Sequence, residues 1–127
     1  SFARGEAAAD VTVPATAARA GVLRGLVVGV DRYRQLGFPD LTASANDATL
    51  MARVLERVGK EKPFERAEVT TLTDDRATPK AVLAALDKAA DESNPDDWLV
   101  LFLAGHGFAQ AAAGGEVEAG SWYFAGY

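Results

Sequence analysis

Apolar residues fall into short blocks separated by polar loops, and the spacing inside the blocks alternates between two kinds. Leu23 to Val30 is a continuous valine-rich run ending at Asp31, the pattern of a strand buried on both faces. A polar loop, Asp31 to Thr42, carries Gly37 and Pro39. Ser44 with Asp47 three residues on forms a variant capping box, which predicts a helix start. Leu50, Met51, Val54, Leu55 and Val58 then recur as one helical stripe, with Gly59 as the stop. Val69 to Leu72 is a second strand, and Asp74 and Asp75 open its loop. Thr78-Pro79 starts another helix, threonine as cap and proline in the first turn, with Val82, Leu83, Leu86 and Ala90 as its stripe. After an Asn94-Pro95-Asp96-Asp97 turn, Trp98 to Ala104 is the most apolar strand. Gly105-His106-Gly107 follows, then a loose Ala/Gly-rich loop from Phe108 to Gly120 and a last apolar run, Trp122 to Phe124. Strands alternating with helices predict an α/β fold: a parallel sheet with helices on both faces and right-handed crossovers. Residues 1–22 stand apart as an Ala-rich leader or linker, with Pro14 interrupting the one stretch of strand character, Val11 to Ala18. The domain proper is predicted over 23–127.

Composition removes several classes of function. The chain has 127 residues, a net charge of −5, one histidine and no cysteine. These residues therefore hold no disulfide, thiolate zinc site, iron–sulfur cluster or cysteine nucleophile, and no site needing two histidines. The acidic balance argues against a nucleic-acid partner, which wants clustered Lys and Arg. The longest apolar run, Trp98 to Ala104, is 7 residues. A membrane helix needs about 20, so no membrane partner is expected. The chain starts at Ser1 rather than Met, as an excised or processed piece would. The compartment expected is the cytoplasm, with export as the alternative.

In open parallel sheets the chemistry sits beyond the carboxyl ends of the strands. Three such ends are readable: Asp31-Arg32-Tyr33, Thr73-Asp74-Asp75 and Gly105-His106-Gly107. His106, between two glycines that let the backbone turn and approach a substrate, is the candidate general base. The plain alternative is a loop histidine with no task. A single histidine is a poor metal ligand, and no metal site is assigned. No glycine-rich phosphate loop follows the first strand, since Gly25 and Gly29 lie inside it. Asp47 reads either as a helix cap or as a site residue, and the local sequence favours the cap. Asp74 and Asp75 lack the ligand spacing of a calcium loop, which favours a solvated pair.

Leu23 to Tyr33, Leu41 to Leu55 with Ala45-Asn46-Asp47-Ala48 inside it, Leu72-Thr73-Asp74, Ala77 to Lys80, and Val100 to Gly107 follow one another in the order and spacing of caspase-like peptidases. The chain resembles the metacaspase and bacterial orthocaspase branch over residues 23–127, as the first, histidine-bearing part of the catalytic domain. The resemblance implies a caspase-like sheet, incomplete in this chain, and a cysteine–histidine dyad. In that dyad His106 is the catalytic histidine, with Gly105 and Gly107 as oxyanion and loop support. It places the cysteine roughly 50 residues after the histidine, on a downstream segment or second chain beyond Tyr127. It also makes Asp47 the S1 residue that selects Arg or Lys in a peptide or protein substrate. Leu41 stands where aspartate-specific caspases supply an arginine. Calcium is the one cofactor implied, as an activator in some members. The alternatives are a non-catalytic caspase-like scaffold or regulatory domain and, more distantly, a separase-like peptidase. Arginine outnumbers lysine nine to four, which suggests a GC-rich bacterial gene. A basic-specific enzyme that cuts itself has Arg4, Arg19 and Arg24 available near the amino end. The loop from Phe108 to Gly120 holds no Lys or Arg. Mass spectrometry of the activated protein is therefore expected to find no cut inside that loop, and a cut there would refute basic specificity.

Overall fold

Two glycines in the central strand decide how closely a helix can lie on it. The computed structural model describes residues 20–34, 37–111 and 117–127. Strand β1 (Gly21–Gly29) is buried along its whole length. Helix α1 (Ser44–Val58) crosses it so closely that a Cβ at Gly29 would collide with the Ser44 carbonyl, and one at Gly25 would come within 2.8 Å of the Leu55 side chain. Only small side chains fit in such a gap. The helix accordingly buries Ser44, Ala48, Ala52 and Leu55, whereas Leu50, Val54 and Val58 of the predicted stripe are exposed. The inward face is thus the alanine face, displaced from the one that large apolar residues predicted.

Strands β1, β2 (Phe64–Thr73) and β3 (Trp98–Ala104) form a parallel sheet in the order β2-β1-β3. On one face Leu23 and Val27 pack against Ala48, Ala52 and Leu55 of α1. On the other, Leu26, Val28 and Val30 pack against Val82, Ala85 and Leu86 of α2 (Pro79–Asp91). The α/β class, the parallel sheet and a helix on each face are as expected. Thr78 caps α2, its hydroxyl accepting from Ala81 N–H at 3.2 Å. Leu83 and Ala90 of the expected α2 stripe face outward instead, and Ala85 takes the inward place. Strand β2 is longer than its apolar core, Val69 to Leu72, because Glu65, Arg66 and Glu68 mask the start of it.

The expected loop and last apolar run after His106 form a separate antiparallel hairpin, β4 (Gly107–Ala111) with β5 (Val117–Phe124). Phe108 pairs with Tyr123, their rings stacked at 5.4 Å. The Ala/Gly-rich composition hid this pairing, since it shows no alternation of apolar and polar residues. After β5 the chain returns to the domain: Ala125 is buried in the α2-side core, and Tyr127 N–H donates to the Ala77 carbonyl at 3.0 Å.

Arg24 is not an exposed cut site. It lies inside β1 and is buried, at 6% exposure. Its guanidinium donates to Asp97 Oδ2 at 3.0 Å, Glu68 Oε2 at 2.7 Å and the Glu92 carbonyl at 2.9 Å. Asp97 also accepts from Val22 N–H at 2.8 Å and Asn94 N–H at 3.0 Å. One cation thus ties β1 to β2, to the end of α2 and to the turn before β3. A peptidase would have to unravel the central strand to reach it. Arg4, Arg19 and the rest of 1–19 lie outside the described residues; Gly21 and Val22 of the expected leader belong to β1.

Hydrogen bonds from the Val22 and Asn94 backbone, reinforced by Arg24, hold the Asp97 carboxyl below its ordinary value. The hydrogen bond from Arg66, with Arg24 adding to it, does the same for Glu68. Groups with depressed folded-state values stabilise above their unfolded values and lose that contribution as pH falls through the folded ones. The thermal midpoint is therefore expected to drop as pH falls through and below the ordinary carboxylate range. Thermal melts of Asp97→Asn as a function of pH should show a smaller drop.

Candidate active site

The carboxyl ends of all three parallel strands meet in one hydrogen-bonded assembly. At the end of β2, Asp74 opens a 3-10 turn (Asp74–Arg76) with φ 44°. Its Oδ1 accepts from the backbone N–H groups of Asp31 and Arg32 at 2.9 and 3.1 Å. Asp74 is therefore a tether between β2 and β1 rather than half of a solvated pair; Asp75 is exposed. Among the described residues no group of three or more His, Asp or Glu could hold a metal ion.

Asp31 in turn caps α1. Its two carboxylate oxygens accept from Ser44 N–H at 2.8 Å and Ala45 N–H at 3.2 Å. Two of the orphan amides of the first turn thus take a carboxylate from 13 residues upstream. This corrects the predicted capping box: Ser44 lies inside the helix, the cap position is Ala43, and neither Ser44 nor Asp47 supplies a side-chain cap. Asp47 is exposed in the first turn of α1, and its carboxylate accepts no hydrogen bond from the described residues. The capping it was expected to supply comes from Asp31 instead.

His106 sits beyond β3, and every polar group of its backbone is held. Its N–H donates to Tyr33 Oη at 2.7 Å, and its carbonyl accepts from Ala125 N–H at 2.9 Å. Gly105 precedes it with φ 155°, and a Cβ there would come within 2.5 Å of Tyr33 Oη. Gly107 opens β4 opposite Phe124, and a Cβ there would meet only ordinary contact. Gly105 is therefore needed on steric grounds and Gly107 is not. The His106 ring stacks on Phe38 at 5.1 Å and leans on Tyr33 at 5.0 Å. Its Nε2 lies 2.9 Å from the Pro39 carbonyl. A carbonyl only accepts, so Nε2 carries the proton. In the neutral ring Nδ1 is then the free base. Burial raises the Tyr33 phenol above its ordinary value, opposed by the His106 N–H and supported by the charges of Asp31 and Asp74. It stays a neutral hydroxyl, able to donate to the Val30 carbonyl and accept from His106 at once.

Of the residues singled out in the sequence, the structure joins Gly105, His106 and Gly107 to the strand ends and puts Asp47 in the helical turn that Asp31 anchors. Leu41 packs against the core at the same edge, its N–H donating to the Asp31 carbonyl at 2.7 Å. Tyr33 read only as part of a strand end, and Phe38 and Pro39 only as loop; their role at His106 carried no sequence signal, because that partner lies 67 or more residues away.

A parallel α/β sheet with one helix on each face and an oriented histidine at its strand ends is the scaffold of a caspase-like fold. The family model of the caspase domain matches residues 24–123, and the chain belongs to that family, whose members are cysteine peptidases. Comparison with curated proteins found no match.

The two aspartates can be told apart by equilibrium denaturation. Asp31→Ala is expected to destabilise the fold by about 1–2 kcal/mol through loss of the helix cap. Asp47→Ala should stay within about 0.5 kcal/mol, as exposed substitutions do.

Proposed function

We propose that this chain is the histidine-bearing part of a cysteine endopeptidase of the metacaspase or orthocaspase branch, cleaving after Arg or Lys. The observation that carries the reading is His106, pinned through Nε2 to the Pro39 carbonyl at the strand ends of a caspase domain. The nucleophilic cysteine belongs to a downstream segment or a second chain. Two features of the sheet support that placement. The outer edge of β2 carries Glu65, Arg66 and Glu68, the charged residues that block strand addition. The other outer strand, β3, carries the apolar Trp98, Leu99, Leu101 and Leu103, all exposed. A further strand is favoured on β3, and its carboxyl end would lie beside His106.

In this mechanism His106 Nδ1 takes the thiol proton, and the thiolate attacks the carbonyl carbon of the scissile peptide. The tetrahedral oxyanion receives the Gly107 N–H. As it collapses, the C–N bond breaks and the His106 imidazolium gives its proton to the leaving amine. Water then attacks the thioester while His106 takes its proton; the C–S bond breaks, the acid is released, and the His106 imidazolium returns the proton to the leaving sulfur. Asp47, released from capping, is free to pair its carboxylate with a substrate guanidinium.

In the protein carrying both segments, His106→Ala is expected to lower kcat/KM on an arginyl fluorogenic peptide by at least about 100-fold. Asp47→Ala should lower it by about ten-fold or more for arginyl peptides while sparing those with a neutral P1 residue. Unchanged turnover in His106→Ala would sink the peptidase reading.

A further inference from the structure

We propose that Tyr33 is a positioning residue for His106, holding the imidazole in register through the backbone rather than by touching substrate; its catalytic consequence rests on the peptidase reading above. The last backbone bond between β1 and β3 runs from Val30 N–H to the Ala104 carbonyl at 2.9 Å. Beyond it the two chains diverge, and the Tyr33 phenol makes the next rung. Its hydroxyl donates to the Val30 carbonyl at 3.0 Å and accepts from His106 N–H at 2.7 Å. The site is closed around it: Tyr33 is 7% exposed, and the absent side chain of Gly105 leaves the space its oxygen fills. With the His106 carbonyl held by Ala125, both backbone groups of the histidine are fixed. Only two side-chain torsions then separate the backbone from the Pro39 and Phe38 contacts. The Tyr33 ring adds a wall beside the imidazole and meets Phe38 edge-on at 5.6 Å.

Tyr33→Phe keeps the ring and removes the rung, leaving the His106 N–H unpaired in a poorly hydrated place. The segment 105–107 then has to shift toward another acceptor, and the Nε2–Pro39 bond shifts with it. The chain has one histidine, so its imidazole N–H is unambiguous in a nitrogen-edited NMR spectrum. In the 127-residue chain, exchange of that proton with solvent is expected to be about ten-fold faster in Tyr33→Phe than in the wild type. In the complete peptidase the same variant should lower kcat about ten-fold with KM unchanged. Leu86→Ala, a cavity in the same core without contact to the histidine, is the control and should leave the exchange rate unchanged. Equal rates in Tyr33→Phe and wild type, or equal acceleration in Leu86→Ala, would overturn the proposal. If circular dichroism shows Tyr33→Phe unfolded, Gly105→Ala, which crowds the hydroxyl but keeps it, decides by the same exchange rate: faster exchange supports the rung and an unchanged rate overturns it. The exchange measurement needs no cysteine. Active His106→Ala with fast exchange in Tyr33→Phe would thus remove the peptidase reading alone. Inactive His106→Ala with unchanged exchange and kcat in Tyr33→Phe would remove the rung alone.

Discussion

The contact on which the rest depends is the close seat of α1 on β1. Gly25 and Gly29 strip side chains from one face of the central strand, and Ala48 and Ala52 do the same for the helix. With both surfaces thin, backbone meets backbone, and dispersion contacts that bulky side chains would hold apart become available. The approach also draws the amino end of α1 down to the carboxyl end of β1, where its first amides reach the Asp31 carboxylate. The first turn of α1, which carries Asp47, is thereby placed at the same edge as the ends of the parallel strands.

That edge is held by polar groups acting in series. Asp74 fixes the backbone of Asp31 and Arg32, Asp31 fixes α1, and Tyr33 fixes His106. Each acceptor comes from an element other than the one it organises, so β1, β2, β3 and α1 are coupled at the place where chemistry is expected. Charged acceptors suit this task because hydrogen bonds to a carboxylate are stronger than neutral ones. At the opposite end of the sheet Arg24 does comparable work, drawing three acidic residues from separate elements around one buried guanidinium. Removing one partner from such a group leaves charge buried and unmatched, which is more damaging than the loss of an exposed pair.

The two outer strands have opposite character. Strand β2 ends the sheet with ion pairs of Arg66 to Glu65 and Glu68 at 3.1 and 2.9 Å. Strand β3 presents apolar side chains, and beside it Pro79, Leu83 and Leu86 of α2 join Leu101, Leu103 and Tyr123 in an apolar groove. The strand that bears the histidine at its end is therefore the one with apolar surface still to cover.

Much of the architecture was legible from one dimension. Continuous apolar runs located β1 and β3, Thr78-Pro79 located α2, and their alternation gave the parallel α/β class, because strand burial and helix capping are written into neighbouring residues. The position of His106 at a strand end followed from the same local signals. What tertiary structure alone decided were interactions between distant residues. The inward face of α1 was set by glycines on another element, so the large apolar residues misled. The cap came from Asp31 rather than from Ser44 or Asp47. Arg24, which reads as an accessible basic residue, became the center of a buried ionic cluster. The hairpin arose from pairing that an Ala/Gly-rich segment does not advertise. Local sequence determines which residues form an element and which of its ends faces a loop. Which side chain fills a given hydrogen-bonding vacancy, and which face of a helix turns inward, depends on surfaces brought together only by folding.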